Sequence, residues 1–560
     1  MRAALWGLVL AVPAWAQEYD PGERIEEAVS LQVTPAGFDQ LEDILQVIVP
    51  DLLAEQLGAA LDPIEFIGYS ITNARPILTV QSINLTPNNG VLKIAVRAKL
   101  KLSEDRDPLH FEGPLCDEWG WIGPIDTQID VNLGLAVVNQ QTGGRGFDVS
   151  VTTRLDATID GPTLIPPSEG DFHLGTCGNL LGGVVTVFQN VLITSVLQPV
   201  VDGLVADLEP TIEDALSAAS LSQEIALGEA SLSLALEPKR VSLETVGMEL
   251  VYSITADAPQ AACVADVDPE GSPKTSTTIP AIGANPAGTQ IAAHLANDAL
   301  NQILYAAFRG GVLCYTVDQN AGLDLPITLD TSLLGVLGGD GFREIFPTAA
   351  PLVIQTRPKA PPTARFTPQK DVRVDVERLG LDFMGELDGR MARALALEVS
   401  ANVGANLAFD ATTGSIGVEV DTANLPIHIA VVPDVLVAGT EESIAAGVEG
   451  LATTLVGSLV EPLLQDAVFP IPAFYGFGIT SLDAYPAGAS NEWLTASLAL
   501  GVADYGDPAG GCGGTGDTGT SGGCSSGCDA SSCSSGCSTS GPQLAGGLAL
   551  LIGWVLRRRR

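Results

Sequence analysis

Histidine is scarce in this chain: His110, His173, His294 and His428 are the only four, scattered and unclustered along 560 residues. The commonest general base and metal ligand is therefore in short supply, and neither a catalytic set nor a metal site is expected, nor any cofactor. Cations are scarce as well. Twenty-seven Lys and Arg face 67 Asp and Glu, and the resulting formal charge of −40 repels phosphate backbones and anionic headgroups, so nucleic acid is not an expected partner. The C-terminal apolar run falls short of a membrane span. It covers the 13 residues from Leu544 to Leu556 before four arginines, whereas a spanning helix needs about 20.

The N-terminus reads MRAALWGLVLAVPAWA, with Arg2 as the charge, an apolar run from Ala3 to Val12, and Ala14-Trp15-Ala16 as a small-x-small cleavage site. This is the pattern of a secretory signal over residues 1–16, with the mature chain beginning at Gln17. Export places the cysteines where disulfides persist.

Length allows two to four domains, and 46% hydrophobic content suffices for sizeable cores. Residues 506–541 are Gly, Ser, Thr and Cys with almost no large apolar side chain, a stalk composition that cannot bury enough surface to fold by itself. The body before it is repeated internally. Its first half opens with TPAGFDQLEDILQVIVPDLLAEQL, where Phe38, Leu41, Leu45 and Ile48 recur at helical spacing. Strand-like runs such as ILTVQSINLTP, GVLKIAVRAKLKLS and FDVSVTTRLDATID follow, then a second apolar helix from about Gly178, then more strands. The second half repeats the order. GTQIAAHLANDALNQILYAAFRGG reads as a helix with Leu300, Leu304 and Ala307 on one face and Gly310-Gly311 as its C-cap. Strands and a late helix, ESIAAGVEGLATTLVGSLVEPLLQDAV, come after it.

A helix this apolar must be covered, and an antiparallel sheet curling around it does so while keeping a polar outer face. The expectation is α+β: two tandem modules over residues 17–258 and 287–505, joined by a linker-like segment at 259–286.

The element order, together with ANDALNQILYAAFRGGVL at 296–313, FPIPAFYGFGIT at 469–480 and LQVTPAGFDQLEDILQ at 31–46, resembles the bactericidal/permeability-increasing protein family. That family includes the lipopolysaccharide-binding and cholesteryl ester transfer proteins, within the tubular lipid-binding superfamily. The resemblance implies a boomerang of two tubular lipid-binding domains. Each has long apolar helices wrapped by a twisted antiparallel sheet, the two meet at a central sheet, and each holds acyl chains in an apolar pocket. Phe38, Leu41, Leu45, Leu181, Val184, Phe188, Leu300 and Leu304 are the lipid-facing candidates, although any helix-on-sheet core would bury the same residues. Four body cysteines allow three pairings. The resemblance implies Cys116 with Cys177, and nearness in sequence suggests Cys263 with Cys314; free buried thiols are the alternative. Antibacterial members carry a cationic tip. Here Arg97, Lys99 and Lys101 are followed at once by Glu104, Asp105 and Asp107, which argues against lipopolysaccharide killing.

Several catalytic or metal-like strings have plainer readings. GTSGG at 519–523 and DTGT at 517–520 lie in the stalk without the strand-turn-helix context a nucleophile elbow needs. The tail cysteines Cys512, Cys524, Cys528, Cys533 and Cys537 imitate a thiolate zinc set, and Asp266, Asp268 and Glu270 imitate a calcium loop. A solvated acidic turn is the simpler account of the latter.

The cysteine cluster, apolar segment and arginine run at 542–560 resemble the myxobacterial C-terminal sorting tag. The resemblance implies recognition by membrane sorting machinery, with Cys537 the processing or modification position, and a body fixed at the outer surface. Arginines retained on the cytoplasmic side orient the body outward, whether the segment is a tag or a plain anchor. Burial of one CH₂ contributes about 0.8 kcal/mol, so an acyl chain of about 16 carbons offers roughly 12 kcal/mol before ordering costs, with no catalytic group required. The sequence thus leads to a non-catalytic, exported, surface-attached lipid-binding protein, with lipids and a membrane as partners. A structural or adhesive surface protein with packed barrels is the alternative.

Overall fold

The structure is a computed structural model and describes residues 18–57, 63–66, 68–142, 150–165, 172–173, 222–227, 230–267, 271–275, 278–319, 328–338, 340–420, 426–432, 444, 469–470 and 477–502. Calls on Leu181, Val184, Phe188, Cys177, the late helix of the second half, the stalk and both chain ends fall outside these residues, as does the Cys116 side chain.

The first half begins with β1 (Glu18–Tyr19), β2 (Ile25–Val33) and helix α1 (Pro35–Leu57). There follow β3 (Ile64–Phe66), β4 (Tyr69–Thr72), β5 (Pro76–Asn88), β6 (Val91–Leu102), β7 (Leu109–Gly113), β8 (Cys116–Thr142), β9 (Ser150–Ile165) and β10 (Phe172–His173). These strands form an eight-stranded antiparallel sheet in the order β3-β4-β7-β8-β6-β5, with β9 and β10 also paired to β8. Period-two alternation sets its faces: on β6, Leu92, Ala98, Leu100 and Leu102 are buried while Lys93 and Arg97 are exposed. The β5–β6 turn puts Asn89 and Gly90 at φ of 43° and 94°, the left-handed pair that a tight hairpin demands.

A second sheet joins the two halves. The first half gives it β2, β11 (Ser222–Leu227), β12 (Ala230–Glu244) and β13 (Gly247–Asp257). After β14 (Ser272–Pro273), the second half gives β15 (Ile291–Ala296), β24 (Phe477–Ala487) and β25 (Trp493–Val502). The order is β11-β12-β13-β2-β15-β25-β24. At its centre β2 and β15 run antiparallel, with Val33 opposite Ile291 and Val29 opposite Leu295. Each leads straight into a helix, α1 from β2 and α2 (Asn297–Arg309) from β15. The internal repeat is thus a pair of strand–helix units meeting strand to strand.

The reading of 288–311 as one helix needs correction at its start. Ile291–Ala296 is a strand, because its IAAHLA run finds partners on both sides, β2 and β25, and the helix begins only at Asn297. Its end is as expected, with Gly311 at φ +80° and the Gly310 N–H donating to Ala306 O at 2.8 Å.

The rest of the second half comprises β16 (Thr316–Val317), short helices α3 (Ser332–Gly338) and α4 (Asp340–Ile345), β17 (Leu352–Pro358), β18 (Thr363–Thr367), β19 (Lys370–Leu387), β20 (Arg390–Asp410), β21 (Ser415–Val420), β22 (Ile427–Val431) and β23 (Phe469–Pro470). These strands build a second eight-stranded sheet around a core containing Leu334, Phe342, Phe383 and Leu395. The molecule is therefore rich in antiparallel sheet and carries few helices among its described residues.

The Cys263–Cys314 disulfide is present and ties the segment after β13 to the end of α2. The linker-like segment is also pinned by β1–β14 pairing and by Asp298, which accepts from the Thr275 N–H at 3.0 Å and from the Tyr19 hydroxyl at 3.2 Å.

Candidate functional site

Helix α1 is placed by its first turn. Thr34 caps it, accepting from the Gly37 N–H at 3.2 Å, and the Thr34 N–H donates to Gln290 O at 3.0 Å. Gly37 permits this docking, since a Cβ there would lie 2.2 Å from Gln290 O. One turn further on, Glu42 accepts from the Leu85 N–H at 2.6 Å and so covers part of the free edge of β5.

These anchors lay α1 across the inner faces of two sheets. Phe38 is 3% exposed and Ile44 2%, in one cluster with Leu31, Ile83, Leu92 and Leu250. Leu41, Leu45 and Val49 pack against the same cluster but stay only half-buried, as do Ile94 and Val96 on β6 and Leu135 and Val137 on β8. The result is a strip of aliphatic side chains between the helix and the concave sheet face. Along it, the inner positions of β6 carry no polar group from Leu92 to Leu102.

The other candidates are placed differently. Leu300 and Leu304 are half-buried on α2, whose fully buried positions instead include Asp298, Asn301 and Gln302. Sequence reasoning missed this buried polar face, because periodicity alone gives the apolar row to the core. Asn301 clasps the backbone of β18, accepting from the Ala364 N–H at 2.6 Å and donating to Ala364 O at 3.3 Å. Gln302 donates to Asp20 O at 3.0 Å and pairs with the Ser272 hydroxyl.

The polar face of the central sheet is equally buried. Glu249, paired with Arg240 at 2.8 Å, accepts from Ser30 and Gln32, and His294 lies 2.7 Å from the Thr495 hydroxyl. Burial holds the His294 imidazole down to about 4, so it is neutral at ordinary pH. Asp268 and Glu270 of the acidic turn lie outside the described residues, and among those described no three potential metal ligands come together.

Three cations of the first half's sheet and its connections have carboxylate partners. Lys93 pairs with Asp130 at 3.2 Å, Arg75 with Asp107 at 2.7 Å, and Lys101 with Glu104 at 3.9 Å. A hydrogen bond from Gln128, with Lys93 beside it, keeps the Asp130 carboxyl below the usual range.

No protein-family model matches the chain, and no curated protein does. Solved structures do. A lipopolysaccharide binding protein is 13% identical, with 85% of this chain and 100% of that one covered at a TM-score of 0.44. P47 of Clostridium botulinum E1 is 8% identical over 85% and 99% of the two chains, at 0.20. P47 from Clostridium botulinum A2 is 9% identical over 84% and 97%, at 0.24. Likenesses this distant lend no weight to a functional reading, which must come from the residues.

Proposed function

We propose that the chain is an exported, surface-attached lipid-binding protein that holds acyl chains without catalysing a reaction. One observation carries the reading: the half-buried aliphatic strip between α1 and the concave faces of β5, β6 and β8. Hydrocarbon is the ligand that such a lining suits, because polar ligands would lose hydration there without gaining hydrogen bonds. Transfer or presentation of lipid at the cell surface, with the sorting tag at 542–560 and its machinery, completes the proposal.

The second half carries a comparable set: Leu379, Leu387, Ile427, Ile429 and Val431 are part-buried against the core of Leu334, Phe342, Phe383 and Leu395. The adhesive alternative has both halves packed and free of ligand.

Organic extraction of the purified chain followed by mass spectrometry tests this. Acyl lipid is expected in near-stoichiometric amount, and less of it in Leu45→Glu. An empty protein that also takes up no added fatty acid would end the proposal.

A further inference from the structure

The outer face of the second half's sheet reverses the charge of the chain. Residues 357–393 hold eight Lys and Arg against six Asp and Glu, in a chain whose formal charge is −40. Six of these cations, Arg357, Lys359, Arg365, Arg373, Arg378 and Arg393, stand on the side of β17–β20 turned away from the core of Leu381, Phe383 and Leu395. Their carboxylate partners are sunk beneath them. Asp382 is 7% exposed between Arg357 at 2.9 Å and Arg393 at 3.7 Å, Glu398 lies between Lys359 and Arg378, and Asp375 pairs with Arg365 at 3.3 Å. Arg357, Arg365 and Arg378 are each more than half exposed, so the outermost layer of charge is positive. Glu377 is exposed as well, but the six cations outnumber it and the three sunken carboxylates.

Arginines of this face break local rules of sheet stability at two places. Arg365 lies directly opposite Arg373 across the β18–β19 pair, where like charges are destabilising. The Arg373 Nε is itself buried without a hydrogen-bond partner. Arg378 occupies the β19 bulge between Val376 and Leu379 at φ 51°, a left-handed backbone that glycine adopts more readily. Sheet formation by itself favours neither placement, and such local conflicts mark functional sites.

We infer that this face is a docking track for an extended acidic segment of a partner protein. From Asp382 to Arg373 the track runs about 27 Å along β19, the length of about nine extended residues. Side chains at alternate positions of an extended segment repeat at about 6.8 Å, which is also the spacing of successive outward rows on β19. A carboxylate at every second position therefore meets one row after another, and guanidinium forks suit carboxylate oxygens. The sunken Asp382, Glu398 and Asp375 hold five of the six cations in place beforehand, which lowers the ordering cost of binding. On the same strand, Asp371 and Glu386 lie beyond the two ends of the track. A long polyanion would run past them onto an acidic surface, whereas a short segment stays on the cations.

The inference rests on neither acyl-chain binding nor export, and its test uses the full chain. A fluorescein-labelled peptide of about ten alternating glutamate and serine residues, long enough to span the track, is titrated with the protein and followed by anisotropy. Binding is expected at about 0.1 M salt and its loss at about 1 M, as the Debye length shrinks from about 10 Å to about 3 Å. Arg365→Ser and Arg378→Gly are each expected to weaken it about ten-fold. Both should keep or raise the melting temperature, because one removes a like-charge contact and the other a strained backbone. Arginines with a merely structural role would lose stability along with binding, and that outcome overturns the inference. So does binding that is insensitive to salt or to both substitutions, or equal affinity for a peptide of the same composition with its glutamates in one block. Tighter binding of dextran sulfate overturns it too, as does self-association in sedimentation that Arg365→Ser abolishes, which would assign the face to a second copy of the chain.

Discussion

His294 shows what a single buried side chain does to the pH response. It is 1% exposed, opposite Ser30 on one neighbouring strand and Thr495 on the other, with Trp493 edge-on to its ring. The unfolded chain takes up this proton near pH 6.5 and the folded chain near about 4. The unfolded state therefore binds more protons between those values. Its contribution is complete above about 6.5 and declines by roughly 3 kcal/mol as pH falls to about 4. His294→Gln retains a partner for Thr495 and cannot titrate, so its melting temperature should drop less than the parent's between pH 7 and 4.5. Equal drops would contradict this account. Asp298 works in the opposite sense, because burial raises its carboxyl and the folded state holds that proton longer; its contribution is lost as pH rises through the raised value. Comparing variant with parent cancels it. Asn301 offers a cleaner loss: Asn301→Ala strands both backbone groups of Ala364, at a cost of about 2–3 kcal/mol by chemical denaturation.

At the scale of the element, α1 separates stability from ligand capacity. Phe38 is core, and Phe38→Ala should cost about 3–5 kcal/mol. Leu45 is only half-buried along the strip, so Leu45→Glu should lower bound lipid more than it lowers the melting temperature. A Leu45→Glu protein that is as unstable as Phe38→Ala would show that the strip is ordinary core. The Cys263–Cys314 bond closes a separation of 51 residues, for which loop entropy predicts a contribution of about 4 kcal/mol. Cys263→Ser with Cys314→Ser should lose that amount in denaturant titration, with the midpoint falling and the slope rising as the unlinked denatured chain expands.

Across the whole molecule, the β2–β15 pair makes one sheet of two halves. Neither half can unfold without exposing the hydrogen-bonding edge of a central strand. Thermal unfolding should consequently give a single transition over the described body. Trp119 and Trp121 report from the first half and Trp493 from the second, so emission in Trp493→Phe and in Trp119→Phe/Trp121→Phe should give coincident midpoints after correction for each variant's own stability. Two resolved midpoints would mean that the halves fold apart.

Much of the architecture was readable in the residues. Period-two alternation marked β5, β6 and β9, the helical spacing of Phe38, Leu41 and Leu45 marked α1, and Gly310-Gly311 marked the end of α2, because these features depend on local geometry alone. The strand at 291–296, the polar buried face of α2 and the exposed hairpin apex were not readable. Each depends on what stands opposite: partners on both edges for β15, the backbone of Ala364 for Asn301, and mostly solvent for Leu115 at the β7–β8 turn. By itself, the sequence determined the faces of the strands, the acidic character and the recurrence of a helix followed by strands in each half, since burial periodicity and charge are written residue by residue. Only the tertiary structure decided that the two units meet as neighbours in one sheet, and which aliphatic side chains along α1 remain part-exposed. Pairing and packing join residues some 260 positions apart, and no local pattern encodes that distance.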